Sequence, residues 1–491
     1  MVKKPYVNLS NIAWYGLLFL LPITSMPLVA RLLGSDTVAA PSIIFLAFLL
    51  LFWFFPYLIR RGTLTDLSIP LIFFIVSAIL STIAAVFIDL PSFKEFSVLR
   101  SNIQSIATLF IGGSFFIIAA TYPKDKNELN KALQVINWSG VVLLVWTGMQ
   151  AISWFGFHKY PQWMFDLQGI ISSRVLYHNR VTGLALEPSW FSHELNMLYI
   201  PLWLSASLKK YSSHNFKFLG LTVENILLVN GIGALVLTLS RGGFIAFLCM
   251  LTLILIYLNI WMIDLIKRFW LRQKNIREKI TPFQSRTITV ILSVFIIVCY
   301  LIFILAGAIA LSKVDPRMKD LFDFTQDKEN PILSYFNNLQ FGERAVYWLA
   351  GWEIFGDHPL LGVGLGNAGF FFPQKITPYG WTLIEVRRLM YELNVLLNIK
   401  SMWVRLLAET GIIGFSFFMS WIVLLLISFI RLFTDKNRLF SMLALSGIFV
   451  IVALPAEGFS IDSFALPFLW FSLGLAASGF RICQSEKKLS F

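Results

Sequence analysis

The sequence predicts an all-α polytopic membrane protein: about twelve transmembrane helices, with one long external, partly helical loop between the ninth and tenth spans. Three observations carry this. First, 57% of the 491 residues are hydrophobic and only 14% charged, with a mean hydropathy of +0.73; a soluble domain carries about 25% charged residues. Second, apolar runs of about 20 residues, the length that crosses a bilayer, recur along the whole chain. Third, the Lys and Arg behind a formal net charge of +13 fall between the runs rather than on one face. Together these exclude an ordinary soluble enzyme, a disordered chain and a nucleic-acid-binding module.

In order, the runs span 11–30, 39–59, 68–90, 101–121, 132–153, 189–208, 219–239, 243–265, 287–311, 406–430, 439–455 and 463–480. The first lacks a clear small-residue cleavage site and further spans follow at once, so it reads as a retained helix rather than a signal peptide. The eleventh is short and closed by Pro455. A cytoplasmic N-terminus, with Lys3 and Lys4, puts most other basic segments on the same side. These are Arg60/Arg61, Lys124/Lys126/Lys131, Lys209/Lys210/Lys217, the basic loop 266–286, Arg431/Lys436/Arg438 and Arg481/Lys487/Lys488. That is the bias the positive-inside rule expects, and it leaves both termini cytoplasmic. The basic loop reads as an anchor near anionic lipid. The chain 1–491 then forms a single membrane domain with two substantial external segments, 154–188 and 312–405.

Cys249, Cys299 and Cys483 suggest no disulfide framework. The five histidines are scattered, and no metal-ligand motif or phosphate-binding P-loop is present. The sequence thus calls for neither metal nor cofactor.

Polar chemistry concentrates in the external segments. In 154–188, Trp163, Phe165, Leu167 and Ile170 form an amphipathic stretch suited to the interface, followed by Arg174, His178, Arg180 and Glu187. So long a loop as 312–405 is implausible without structure of its own. Glu343–Phe355 has helical periodicity, with Arg344 and Trp348 four apart on one face and Gly356 as its stop. The run 358–367 is punctuated by Gly362, Gly364 and Gly366. It imitates a nucleotide-binding loop but lacks the βαβ setting; a re-entrant turn packed closely against helices is the better reading. A second helix is expected over Leu383–Ile399. A third leads through Trp403, Arg405 and Glu409 into span ten. Ser240-Arg241-Gly242-Gly243 marks the external junction of spans seven and eight, where an arginine snorkels, pairs or binds an anion. Arg180, Arg241, Arg344, Arg387, Arg388 and Arg405 all fall on the external side. Guanidinium forks of this kind suit a diphosphate.

The stretch Arg344-Ala-Val-Tyr-Trp348, then His358-Pro-Leu-Leu-Gly362-Val-Gly364-Leu-Gly366-Asn367, then Leu406-Leu-Ala-Glu409-Thr-Gly411-Ile-Ile-Gly414, resembles the O-antigen ligase and Wzy polysaccharide polymerase superfamily of bacterial envelope synthesis. Arg180-Val-Thr-Gly-Leu-Ala-Leu-Glu187-Pro-Ser189 and Leu239-Ser-Arg241-Gly-Gly243 look like the same family, and the likeness covers roughly residues 170–430. The resemblance implies a multi-pass protein of the bacterial cytoplasmic (inner) membrane. It implies inverting, metal-independent glycosyl transfer at the external face from an undecaprenyl-diphosphate-linked glycan. A flippase, a chain-length regulator and membrane lipid would be partners. By the same likeness Arg180 and Arg241 match arginines associated with the diphosphate, and Arg344 matches the arginine of the loop motif.

One departure stands out. Ligases of the family commonly carry a histidine shortly before the Glu-x-Gly turn; here the segment is Asn398-Ile-Lys400-Ser-Met-Trp403, with Lys400 at the aligned position. This favours a polymerase of O-antigen, capsule or exopolysaccharide over a ligase, and leaves the general base open. Glu187 is the first candidate, since partial burial would raise its pKa into a useful range; Lys400 and His178 follow. A transporter of an anionic or lipid-linked substrate is the alternative of another class. Against it stand the absence of a repeat between the halves and the external placement of the polar signal.

Overall fold

The computed structural model describes residues 5–34, 38–271, 282–312 and 341–489. The chain divides into two compact units, Met1–Ala246 with Val346–Phe491, and Phe247–Ala345. Its helices are α1 Pro5–Phe19, α2 Pro27–Leu33, α3 Ser42–Ile59, α4 Asp66–Phe87, α5 Val98–Thr121, α6 Lys126–Gly156 and α7 Gln162–Ile171. In α8, Pro188–Glu194, a π turn Leu195–Tyr199 and Ile200–Lys209 run on as one helix. A small hairpin, β1 Lys217–Phe218 with β2 Leu221–Thr222, precedes α9 Val223–Thr238 and α10 Arg241–Leu271. Then follow α11 Pro282–Ser312, α12 Gly342–Asp357, α13 Ala368–Lys375, α14 Ile384–Arg387 (extended by a π turn Arg388–Glu392), α15 Met402–Phe433, α16 Arg438–Glu457 and α17 Pro467–Leu489.

A helix stands at each of the twelve apolar runs. Six helices, α3, α4, α5, α6, α15 and α16, are long and apolar enough to cross a membrane. Four boundaries differ from the sequence reading. The first run is two helices, because Pro22 and Pro27 lack donors and restrict the residues before them; α1 stops at Phe19, and α2 begins with Pro27 in its first turn. The helix expected over Leu383–Ile399 ends at Glu392. Leu393 is extended, and the Lys94 ammonium donates to the carbonyls of Leu389 and Leu393, closing the helix end. Helix α12 passes Gly356 to Asp357. Helix α16 passes Pro455 to Glu457; the indole of Trp403 donates to the Pro455 carbonyl at 3.0 Å.

In the larger unit, close packing replaces a water-driven core, as membrane helices require. A Cβ on Gly474 of α17 would lie 2.5 Å from the Phe116 carbonyl of α5. Trp421 and Trp470 stack at 5.3 Å, with the Phe116 ring edge-on to Trp421 at 5.1 Å.

Polar contacts sort the helix ends of this unit into two faces. On one, Lys126 pairs with Glu486, Lys487 with Asp435, and the Gln134 amide donates to the Ser213 carbonyl. On the other, Ser25 bonds Ser173, Thr24 accepts from the Leu186 N–H, and the Met402 N–H donates to the Gly458 carbonyl.

Helix α15 is broken at Gly411 (φ 62°, ψ −171°). A broken helix strands main-chain groups that lipid cannot satisfy. The loop 358–367 supplies their partners. Val363 and Gly364 N–H donate to the Ala408 and Glu409 carbonyls at 2.9 and 3.0 Å, and the Ile412 and Ile413 N–H donate to the Pro359 and Leu360 carbonyls at 2.8 and 3.3 Å. Ser81 of α4 donates to the carbonyls of Leu361 and Glu409, and the Thr82 hydroxyl accepts from the Leu365 N–H. Gly362, Gly364 and Gly366 all have positive φ. The approach is so tight that a Cβ on Gly362 would lie 2.5 Å from the Ala408 carbonyl oxygen.

The smaller unit contains most of α10, all of α11 and the first residues of α12. Cys249 and Cys299 are free thiols there. The middle of the basic loop 266–286, and residues 313–340 of the long external segment, lie outside the described residues.

Candidate functional site

Helix α9 ends at Thr238 because Leu239 turns left-handed (φ 48°), and α10 begins two residues later at Arg241. The Arg180 Nε donates to the Thr238 carbonyl at 2.8 Å, and the Val181 N–H donates to the Leu237 carbonyl at 3.2 Å. Arg180, from the segment after α7, is thus fastened three residues from Arg241, at the turn between α9 and α10. A cation on a helix C-terminus is also favoured by the helix dipole. Both arginines are half-buried.

Beneath this turn lies a buried polar network that the sequence reading missed. Asn196 Nδ2 donates to the Gly243 carbonyl and to Glu457 Oε1, each at 2.8 Å, and Glu457 Oε2 meets His193 Nδ1 at 2.9 Å. All three side chains are buried. Gly243 admits this packing, since a Cβ there would sit 2.5 Å from that of Ser192. Glu194 is fully buried, and neither of its carboxyl oxygens has a hydrogen-bond partner among the described residues. The signal was present: Ser192-His-Glu-Leu-Asn196 interrupts an apolar run, and ionisable residues at such depth mark function or pairing. Glu457 was hidden by ending run eleven at Pro455.

Glu187 stands at the N-cap position of α8 without a side-chain capping bond, and its carboxylate pairs with Arg174 at 2.9 Å while remaining about one-third exposed. The Ser189 hydroxyl lies 3.4 Å from its other oxygen. Partial burial is therefore accompanied by a cationic partner that the sequence did not reveal. His178 is exposed and stacks on Trp154 at 4.2 Å, nearly parallel. The neighbouring Tyr160 hydroxyl donates to the Tyr177 carbonyl, and burial pushes its pKa up to about 12, so it stays a donor.

The remaining residues fall elsewhere. Lys400 pairs with Glu385 and lies 4.6 Å from the Tyr347 ring centroid, while its carbonyl accepts from the Trp348 indole at 3.4 Å. Arg387 and Arg388 are exposed on α14, with Arg388 3.6 Å from Glu392. Arg344 occupies the first turn of α12, in the smaller unit. Arg405 and Glu409 form an ion pair at 2.9 Å, with side chains 12% and 6% exposed. Arg405 also donates to the Asp462 carbonyl at 2.9 Å and covers the Phe464 ring, and the Gly366 N–H supports the Glu409 carboxylate. This pair ties the broken helix to the glycine loop.

Residues 226–419 match the family model of O-antigen ligase, Wzy_C. Over this segment the chain is similar to the O-antigen ligase domain, which supports the O-antigen ligase and Wzy superfamily and a ligase- or polymerase-type glycan-handling enzyme in a multi-pass membrane protein. The match runs from α9 past the break in α15. It takes in Arg241, Arg344, the glycine loop, Arg405, Glu409 and Gly411, and leaves Arg180, Glu187, His193 and Glu457 outside. No curated protein matches the chain.

Proposed function

We propose that the protein is a polysaccharide polymerase that transfers an undecaprenyl-diphosphate-linked glycan onto a glycan acceptor. The reaction takes place at the external face of a bacterial cytoplasmic membrane, in a twelve-span arrangement with both termini inside. The observation that carries the reading is the arginine turn: Arg180 is fixed at the Thr238 carbonyl three residues from Arg241, above the His193–Glu457–Asn196 network, within the unit that carries both ends of the O-antigen ligase segment.

The chemistry follows. The acceptor hydroxyl attacks the anomeric carbon from the side opposite the diphosphate. The new C–O bond forms as the bond to the leaving oxygen breaks, and polyprenyl diphosphate departs with the electron pair. Charge grows on that oxygen, where guanidinium groups held in place stabilise it without reorganisation. The hydroxyl proton passes to Glu187, a carboxylate on the same face. Arg344 enters through the family likeness. Lys400 and Glu187 are both ion-paired and His178 is stacked on Trp154; Glu187 is preferred because it follows Arg180, which is fastened at the arginine turn, by seven residues. Arg405, held by Glu409, supports the glycine loop, and the exposed Arg387 and Arg388 meet substrate or lipid headgroups at the rim.

The test is purified full-length protein with its lipid-linked repeat unit, products separated as a ladder. Wild type should build the ladder, and Arg241→Ala and Glu187→Gln should each lose at least a hundredfold in rate. A single addition to a separate acceptor would instead mean a ligase. No product from folded protein, with substrate counterflow in proteoliposomes, would mean a transporter.

A further inference from the structure

A polymerase that joins two carrier-linked chains must hold the same anionic group twice. One diphosphate leaves; the other stays on the acceptor. Resting on the polymerase reading, we infer that a groove between α2 and the end of α7 binds the diphosphate headgroup of the acceptor, apart from the arginine turn.

The groove has a volume of about 490 Å³ and is lined by Arg31, Phe165, Gln168, Ser172, Ser173 and Arg174, among others. Small-molecule sites span about 300–1,000 Å³, so it has room for a diphosphate and its first sugar. Two arginines from segments far apart in sequence meet in it, and guanidinium groups are the side chains best shaped for phosphate oxygens. The main chain of Arg174 is held on both sides: its N–H donates to the Ser172 hydroxyl and its carbonyl accepts from the Gln168 amide, each at 3.3 Å. Gln168 is itself fixed by the Trp146 indole at 3.3 Å. With its backbone held and its guanidinium paired with Glu187, Arg174 has less left to order when a ligand arrives. Exposed Val175 lines the groove, and the two helices that form it carry exposed Leu28, Leu32 and Ile170. An isoprenoid tail can leave along these side chains into lipid while the headgroup stays with the arginines.

Arg174 also links the groove to the chemistry, because its guanidinium pairs with Glu187. A phosphate entering the groove competes with the Glu187 carboxylate for the same cation. Occupation of the groove thereby releases the base when an acceptor is present to be deprotonated, and keeps it paired when the groove is empty.

The experiment uses full-length protein in lipid nanodiscs, with undecaprenyl diphosphate as the binding probe. Wild type is expected to bind two equivalents. Arg31→Ala/Arg174→Ala should bind one, and Arg180→Ala/Arg241→Ala should also bind one. Arg31→Glu changes a surface residue outside the Glu187 pair and should give the same loss, which separates binding from misfolding. In the polymerisation assay, Arg31→Glu should raise the acceptor KM at least tenfold and leave the donor KM unchanged. Two equivalents retained by the Arg31/Arg174 variants, one equivalent in wild type, or donor and acceptor KM moving together would each overturn the assignment. The two readings fail separately: groove-dependent binding without a ladder sinks the polymerase and leaves the groove, whereas a ladder indifferent to Arg31 and Arg174 sinks the groove alone.

Discussion

The glycine loop and the arginine turn both place polar groups against apolar helices, and they do so in opposite ways. Around Gly411 the polar groups are main-chain, and each stranded N–H or carbonyl named above meets another main-chain group or a hydroxyl. At Gly362, Gly364, Gly366 and Gly411 the backbones approach so closely that any Cβ would clash. At the turn between α9 and α10, and at the Arg174–Glu187 pair, the polar groups are charged side chains left partly exposed. The first region is a steric lock whose contribution is stability. The second is a charged surface that solvent or a ligand can reach, supported from beneath by buried His193, Asn196 and Glu457.

The contrast breaks first at Gly411. An alanine there would put its Cβ 2.2 Å from the Leu360 carbonyl oxygen, at a φ of 62°. Backbone strain of about 1–3 kcal/mol adds to overpacking of about 1–3 kcal/mol. Gly411→Ala should therefore lower the unfolding temperature in detergent sharply or abolish folded yield, while Gly356→Ala, with nothing within 4 Å, should change neither. Equal behaviour of the two would show that the loop does not lock the helix.

Arg405→Ala comes next. It strands the Glu409 carboxylate in a site where both partners are nearly inaccessible; breaking such a pair costs about 3–5 kcal/mol. The double change Arg405→Ala/Glu409→Ala should recover part of that loss. If Arg405→Ala instead folds normally and only activity falls, Arg405 belongs with the diphosphate arginines, as the sequence alone suggested. Arg241→Ala should behave in the reverse manner. Removing one preorganised charge costs about 10²–10³ in turnover, and unfolding should shift by no more than about 1 kcal/mol because the side chain is half-buried.

Much of this was legible in the sequence, for stated reasons. Twenty-residue apolar runs admit few structures other than helices, so a helix stands at each run, although the prolines of the first split it in two. The glycines of 358–367 announced a close-packed turn, because three glycines at alternate positions suit little else. What stayed hidden depends on contacts between distant segments. Nothing in the order of residues says that Lys94 will close α14, that Arg174 will take Glu187, or that Glu457 will reach His193 across more than two hundred residues. The His193–Asn196 cluster was readable in principle. It was lost by treating an apolar run as uniformly apolar.

The smallest effect tests whether burial, rather than charge, separates the two regions. Lys487 and Asp435 pair at 2.8 Å; Asp435 is 13% exposed, but its partner Lys487 is 65% exposed, against 12% and 6% for Arg405 and Glu409. Burial raises the Asp435 carboxyl, but hydrogen bonds from Lys487 and from the Asn437 N–H outweigh it and hold the group below its ordinary value. A carboxyl lowered in the folded state stabilises the fold above its unfolded pKa, about 3.9, and that contribution drains away as pH falls below it. Lys487→Ala should therefore cost no more than about 1 kcal/mol at neutral pH, the range of solvated ion pairs. It should also flatten the loss of stability on acidification below about pH 4. Thermal unfolding of wild type and variant across pH 3–7 measures both. A loss at neutral pH as large as that of Arg405→Ala would mean that solvent does not screen the Lys487 pair, and the division drawn here between locked and accessible charge would have to be abandoned.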